Sequence, residues 1–200
     1  LAAIKNSTEA MRMAERIGNK VLLARCHSSM GSSYLELMNP ERMISYIHVA
    51  LQLDREVGDN VRVTHDLINL SIAYFDMGDV DSALHYAQEA YKSAIAIGKW
   101  DYDMMGAIYI MMGKVHNRLA NPEIAVAYLK KAVESSLVFQ DWTDFFDANL
   151  NLGKIYDGYG KKDSALYHYR LAMDGAIRQE YLKAMFESAS ALALFYKGKD

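Results

Sequence analysis

The chain has 200 residues, 52% hydrophobic and 24% charged, with a formal net charge of −3; this composition builds a substantial core and excludes a disordered chain. Lysine and arginine are scattered, the densest groups being the doublets Lys130-Lys131 and Lys161-Lys162, so the basic footprint of a nucleic-acid binder is absent and no nucleic-acid contact by this segment is expected. No apolar run approaches the ~20 residues of a membrane-spanning helix, and the opening LAAIKNSTEA has neither part of a signal peptide, so no membrane contact is expected either.

In chain order, the first element reads as a helix over 1–18, stopped by Gly18-Asn19. Cys26, the only cysteine, lies in the next one; it reads as a buried, inert thiol and leaves no room for a disulfide framework or a multi-cysteine metal site. Helix starts follow Asn39-Pro40-Glu41 and Asn121-Pro122-Glu123, which hold the only two prolines. There an asparagine side chain can accept from free amides, a proline loses no hydrogen bond, and an acid suits the positive helix end. Gly58-Asp59 and Gly98-Lys99 close later helices. In LINLSIAYFDMG (67–78) and ANLNLGKIYDGYG (148–160) apolar residues recur every three or four positions, which marks one buried stripe on a helix. No β-hairpin signal occurs.

The elements repeat. GDVDSALHYAQEA (78–90) returns as GKKDSALYHYRLA (160–172), and alanines stand in one column at 10, 50, 90, 132 and 172, spaced by 40, 40, 42 and 40 residues. Eight positions on come Gly18, Gly58, Gly98, Gln140 and Glu180. A small-residue column holds Gly31, Ser71, Gly113, Gly153 and Ala193, and three further on stand Tyr34, Tyr74, His116, Tyr156 and Tyr196. Small residues let two helices approach, and stacked helix pairs bury faces that one pair cannot. The expectation is an all-α solenoid of about ten helices: a second helix at 1–18, full pairs at 20–58, 60–98, 100–140 and 142–179, and a first helix at 181–197. With Leu1 in place of Met, an excised or processed segment is expected. Its apolar ends, such as the face with Leu192, Phe195 and Tyr196, would then lack cover and could self-associate.

With these columns and Ala83, Ala125 and Ala165, the whole chain resembles a tetratricopeptide repeat array. Met43 stands where alanine is expected, His116 replaces the tyrosine, two extra residues fall near 98–104, and the period is about 40 rather than 34. Arrays of this longer type are similar to those of kinesin light chains and of bacterial signalling proteins, where they are joined to histidine kinases, diguanylate cyclases and helix-turn-helix regulators. The resemblance implies a right-handed superhelix, a non-enzymatic scaffold without cofactor, and a concave groove lined by the first helix of each pair. Carried over position by position, the groove residues are Arg25, Ser28 and Ser32; His65, Asn69, Ile72 and Asp76; Ile110, Lys114, Asn117 and Arg118; and Asp147, Asn151, Lys154 and Asp157. Asparagine amides there would bind the backbone of an extended peptide, and Lys114, Arg118 and Lys154 would attract an acidic side chain or a terminal carboxylate. The lysine and asparagine arrangement of chaperone-binding arrays is not reproduced. A small-molecule sensor and a self-association module are the alternatives, and the compartment stays open between the cytoplasm, which is favoured, and the periplasm.

No catalytic or metal constellation is expected. His27, His48, His65, His85, His116 and His168 occupy different repeat positions without ligand spacing. Asp141, Asp144 and Asp147 read as acids favouring a helix start rather than as acid–base groups. Gly158-Tyr159-Gly160 falls in a turn and follows no strand, so it is no dinucleotide loop. Trp100 and Trp142, in the same place of adjacent units, read as packing at the helix start, with an aromatic ligand platform as the sharper alternative.

Overall fold

The computed structural model describes residues 2–98 and 102–197, with 2, 3, 102 and 103 described in backbone only. The described residues form ten α-helices and no strand: α1 Ala2–Arg16, α2 Lys20–Glu36, α3 Pro40–Val57, α4 Asn60–Met77, α5 Val80–Ile97, α6 Tyr102–Arg118, α7 Pro122–Phe139, α8 Trp142–Gly158, α9 Lys162–Arg178 and α10 Leu182–Lys197. The all-α architecture of stacked helix pairs is the one the columns call for. The chain divides into two compact units, Leu1–Trp100 and Asp101–Asp200, at the two-residue insertion in the repeat spacing.

Within each unit the turns are two or three residues long, which makes neighbouring helices antiparallel. In the first unit α1 packs on α2, α2 on α3, α3 on α4 and α4 on α5. The same succession runs from α6 to α10 in the second, where the first helices α6, α8 and α10 also touch side by side.

Turn chemistry holds the frame. Gly18, Gly58 and Gly98 end their helices at φ of 65°, 74° and 66°, and the aligned Gln140 and Glu180 take the same left-handed conformation at 56° and 52° although a side chain disfavours it. Asn19 and Asp59 then accept from the Leu22 and Arg62 amides at 2.9 and 3.1 Å. Asn39 caps α3 in the expected way, accepting from the Arg42 amide at 3.1 Å. Asn121 does not: its side chain makes no cap hydrogen bond. That turn is held by the backbone alone, Asn121 N–H donating to His116 and its carbonyl accepting from Ala125. Asp141 caps α8 by accepting from the Thr143 and Asp144 amides at 2.9 and 3.0 Å, as a helix-start acid should.

The small-residue column sets the distance between the two helices of a pair. A Cβ built on Gly31 would lie 2.4 Å from Ile47 Cδ1, on Gly113 2.6 Å from Leu129 Cγ, and on Gly153 2.5 Å from Tyr169 Cδ1. In the second repeat the pair of positions reads Ser71 and Ala87, the larger residue on the first helix answered by a smaller one on the second. Ser71 is fully buried and its hydroxyl donates to the Ala83 carbonyl at 2.8 Å. The gap beside the glycine is thus filled from the facing helix, and the aromatic column three residues on stands apart from it. That column has another role. Tyr34 stacks on Tyr46, Tyr74 on Tyr86, His116 on Tyr128 and Tyr156 on His168, with ring centroids 5.4, 5.3, 5.6 and 5.4 Å apart and planes within 17° of parallel. Each stack adds about 0.5–1.5 kcal/mol beyond its buried area.

His116 is therefore a substitution that keeps the stack. His168 is another: Asn149 donates its amide to the Phe145 carbonyl and turns Oδ1 to the imidazole 2.8 Å away, so Nδ1 carries the proton. Burial, with the charge of Lys130 adding to it, pushes His168 down to about 4, and the ring stays neutral.

One end differs from expectation. Phe195 is 2% exposed, packed with Phe146, Tyr169 and Ala184, and Leu192 is half-buried against the same cluster, while Tyr196 stays exposed. The uncovered stripe carries Leu182, Phe186 and Leu194 instead, 79%, 74% and 71% exposed.

Two substitutions test the frame with opposite signs. Gly153→Ala pushes a methyl into a buried tyrosine ring and is expected to lower stability by about 1–3 kcal/mol. Gln140→Gly relieves the left-handed cap and is expected to raise it by up to about 1 kcal/mol, less glycine's extra chain entropy. Denaturant midpoints of the two variants against the parent chain give both values.

Candidate interaction face on the first helices

In the first unit, α2 and α4 supply seven of the carried-over positions. Arg25, Ser32, His65 and Asp76 are exposed, and Ser28, Asn69 and Ile72 are half-buried. Arg25, His65, Asn69 and Asp76 make no side-chain hydrogen bond or ion pair among the described residues, so their polar groups are available to a ligand. Ser32 donates back to the Ser28 carbonyl at 3.2 Å. Ser28 itself is engaged: its hydroxyl donates to Asp66 Oδ1 at 3.1 Å and accepts from Arg62 Nη2 at 3.2 Å. The resemblance selects neither Asp66 nor Arg62. The signal that could have found Asp66 is a charged residue in a repeat column that otherwise holds uncharged ones; Arg62 carries no such signal, since Asp144 stands in its column.

In the second unit, α6 and α8 supply eight positions, and the structure sorts them into three groups. Ile110 is 3% exposed and packed with Ala132 and Ala148, so it belongs to the core between α6, α7 and α8 and lines no groove. Its column explains this, since Ile68 and Leu150 in the same place are also buried. A second group braces itself. Lys114 Nζ donates to Asp147 Oδ2 at 3.2 Å, and Asn151 Nδ2 donates to Asp147 Oδ1 at 2.7 Å and to its carbonyl at 2.8 Å. Asp157 accepts from Lys162 of α9 at 2.6 Å. Asn151 thus spends both amide hydrogens and Lys114 one of its three on Asp147, which bridges α6 and α8 instead of merely favouring a helix start. Asn117 and Lys154 form the third group, exposed and without a side-chain partner among the described residues; Arg118 is exposed beside them.

Other sequence candidates find structural roles. Trp142 is half-buried, with the Phe145 ring edge-on at 5.6 Å and the Arg178 guanidinium 4.7 Å from its centroid, which is packing at the helix start. Trp100 lies outside the described residues. Asp144 sits against Gly106, where a Cβ would strike its carboxylate. Gly160 turns the chain at φ 69° between α8 and α9. His27 rests on Tyr46, and His48 and His85 on Tyr86. A cleft of about 280 Å³ between α7 and α8, lined by Pro122, Val126, Ile155, Tyr156, Tyr159 and Lys161 among others, contains none of the carried-over positions.

This geometry agrees with comparisons to known proteins. Two tetratricopeptide repeat profiles match the chain, at residues 67–97 and 106–137. Tetratricopeptide repeat protein 29 of Trypanosoma brucei brucei (strain 927/4 GUTat10.1) is 29% identical over 157 residues, 78% of this chain and 32% of that protein. Among solved structures, aspartyl phosphate phosphatase F from Bacillus subtilis superposes with a TM-score of 0.84 at 20% identity, over 98% of this chain and 51% of that one. BtubC (BKLC) from P. vanneervenii superposes at 0.79 with 19% identity, over 98% and 82%. This chain spans about a third of the trypanosome protein and about half of the phosphatase. The class of fold is thereby defined: an all-α protein of stacked helical repeats. More narrowly, residues 67–97 and 106–137 match tetratricopeptide repeats, and the ten helices of the described residues have the fold of such repeats.

The Lys114–Asp147 pair is about one-third exposed on both sides, so it aligns side chains more than it stabilises. Lys114→Ala is expected to cost less than about 1 kcal/mol, and the cost should shrink at high salt. Denaturant unfolding of parent and variant at two ionic strengths measures both.

Proposed function

We propose that this chain is a non-enzymatic interaction segment of a larger signalling protein of the bacterial type, and that it takes an extended peptide or protein segment on its first helices. One observation carries this reading: polar side chains without partners stand beside braced ones at the same helix positions, Asn117 and Lys154 next to the Lys114–Asp147–Asn151 bridge in the second unit. Braced groups hold a surface rigid and unpaired ones give it affinity, which is how a preorganised site limits the cost of ordering. An asparagine amide that both donates and accepts suits a peptide backbone, and the lysine suits an acidic side chain. The likeness to a phosphatase of aspartyl phosphate supports the signalling context.

The test starts from peptides selected out of a displayed random library on the immobilised chain. Their affinity is expected to fall about tenfold when Asn117 and Lys154 are both changed to alanine. Both residues are exposed and unpaired among the described residues, so melting should not change. A library that yields no binder, or binders indifferent to the double change, overturns the peptide reading.

A second reading rests on the apolar stripe of α10. Leu182, Phe186 and Leu194 are exposed along one row of the helix, with Ser190 between the last two, and exposed apolar groups of this size favour self-association. Sedimentation should then show mass rising with concentration in the parent chain and constant monomer mass in Phe186→Glu.

A further inference from the structure

The joint between α3 and α4 contains a buried charge problem that the aligned positions of the other repeats do not pose. Asp54 of α3 is fully buried and Asp66 of α4 is 2% exposed. The positions aligned with Asp54 hold Ala14, Ala94, Ser136 and Ala176, and those aligned with Asp66 hold Cys26, Ile108, Ala148 and Ser188. Each of these columns therefore contains one acid, and both acids fall in the same contact.

Among the described residues a single cation meets them. Arg62 Nε donates to both carboxylate oxygens of Asp54, at 3.3 and 3.2 Å, and its Nη2 donates to Ser28 of α2. Ser28 passes its own hydrogen to Asp66 Oδ1. Asp66 Oδ2 is buried and receives no hydrogen from any donor among the described residues. The second buried acid is close enough for its charge to bear on Asp66. A buried carboxylate oxygen without a donor, beside a second buried acid that holds the guanidinium, is relieved by taking up one proton. The other charged group bearing on the pair is Asp59, at the α3–α4 turn, which adds negative charge beside Asp54. From α2 the facing group is the Ser28 hydroxyl. On the α5 side the polar contact is neutral, Thr64 donating to or accepting from Ser93 at 2.7 Å.

We propose that Asp54 and Asp66 hold one shared proton that latches α2, α3 and α4 together, and that losing it leaves two buried carboxylates against one guanidinium and loosens the joint. Burial pushes Asp66 up to about 7, with the Asp54 charge reinforcing it and the Ser28 hydrogen bond and Arg62 opposing. Burial raises Asp54 as well, against the pull of Arg62. The sign follows. Between the ordinary aspartate value near ~4 and about 7 the folded chain binds a proton that the unfolded chain does not, so this contribution to stability is full at low pH and is lost as pH rises through 7. His27 and His48 of the same unit are pushed down by burial and act oppositely, losing stability as pH falls below about 6.5. A global melt mixes the two effects; a local measurement separates them.

The experiment is hydrogen exchange on the 200-residue chain at pH 6 and pH 8, corrected for intrinsic rates and read amide by amide. Protection across the C-terminal half of α3 and the N-terminal half of α4 is expected to fall up to about tenfold from pH 6 to pH 8, the most that one proton bound at about 7 can give, and more than in the helices of the second unit. Asp66→Asn keeps a donor toward Asp54 and cannot ionise; it should hold that protection at pH 8 and melt above the parent there. Asp66→Ser, the residue type the column holds at 188, should likewise abolish the pH effect if the asparagine variant does not fold. Equal protection of α3 and α4 at both pH values in the parent overturns the latch, as does an unchanged pH effect in either folded variant.

Discussion

How near the first and second helices of a repeat can come is decided at one position, where a Cβ on the first helix would occupy the space of a side chain from the second. At Gly31, Gly113 and Gly153 that space is taken by Ile47, Leu129 and Tyr169. The ring stacks, the buried alanine columns and the register of the turns all depend on this spacing. With the axes close, Tyr34 lies over Tyr46 and His116 over Tyr128; a wider pair would separate the rings beyond useful contact. With the pairs uniform, the next helix finds the same surface each time, and stability accumulates by neighbour contacts as in other linear repeats.

The same regularity makes the fold legible and the site less so. Columns average over five occurrences, so ten helices and their turns can be placed from spacing alone. The departures are local and lie off the period. Asn121 has the residue type of a cap but its turn closes by backbone bonds. Ile110 occupies a first-helix position that the resemblance assigns to a groove, yet two neighbouring helices cover it. Phe195 is covered because α10 packs on its own unit, while Phe186, nine residues earlier, is bare. Whether a polar residue is braced or free also depends on residues one repeat away, as Asp147 does on Lys114, 33 positions earlier. The buried acids were visible in principle, since Asp54 and Asp66 stand in columns of small or apolar residues; comparing columns for misfits finds them where periodicity does not.

Charge is thus handled in two ways. On the first helices of the second unit, Asp147 is neutralised by a lysine and satisfied by an asparagine at the surface, where the geometry matters more than the energy. At the α3–α4 joint the acids are taken out of water, and one guanidinium cannot balance both. Ser28 belongs to both settings, a position on the candidate face whose hydroxyl is committed to the buried cluster. A change in that cluster therefore reaches the face through a single side chain.

The exchange of volume at Ser71 and Ala87 has a consequence for descent. Had repeats been shuffled one helix at a time, a serine-bearing first helix would sooner or later have met an isoleucine, leucine or tyrosine where it needs an alanine, and the graft would jam; the reverse graft would leave a hole. Complementary sizes survive only when both partners are copied together. Transfer of a whole hairpin keeps the sizes matched, whereas transfer of one arm alone carries an overpacking cost of about 1–3 kcal/mol.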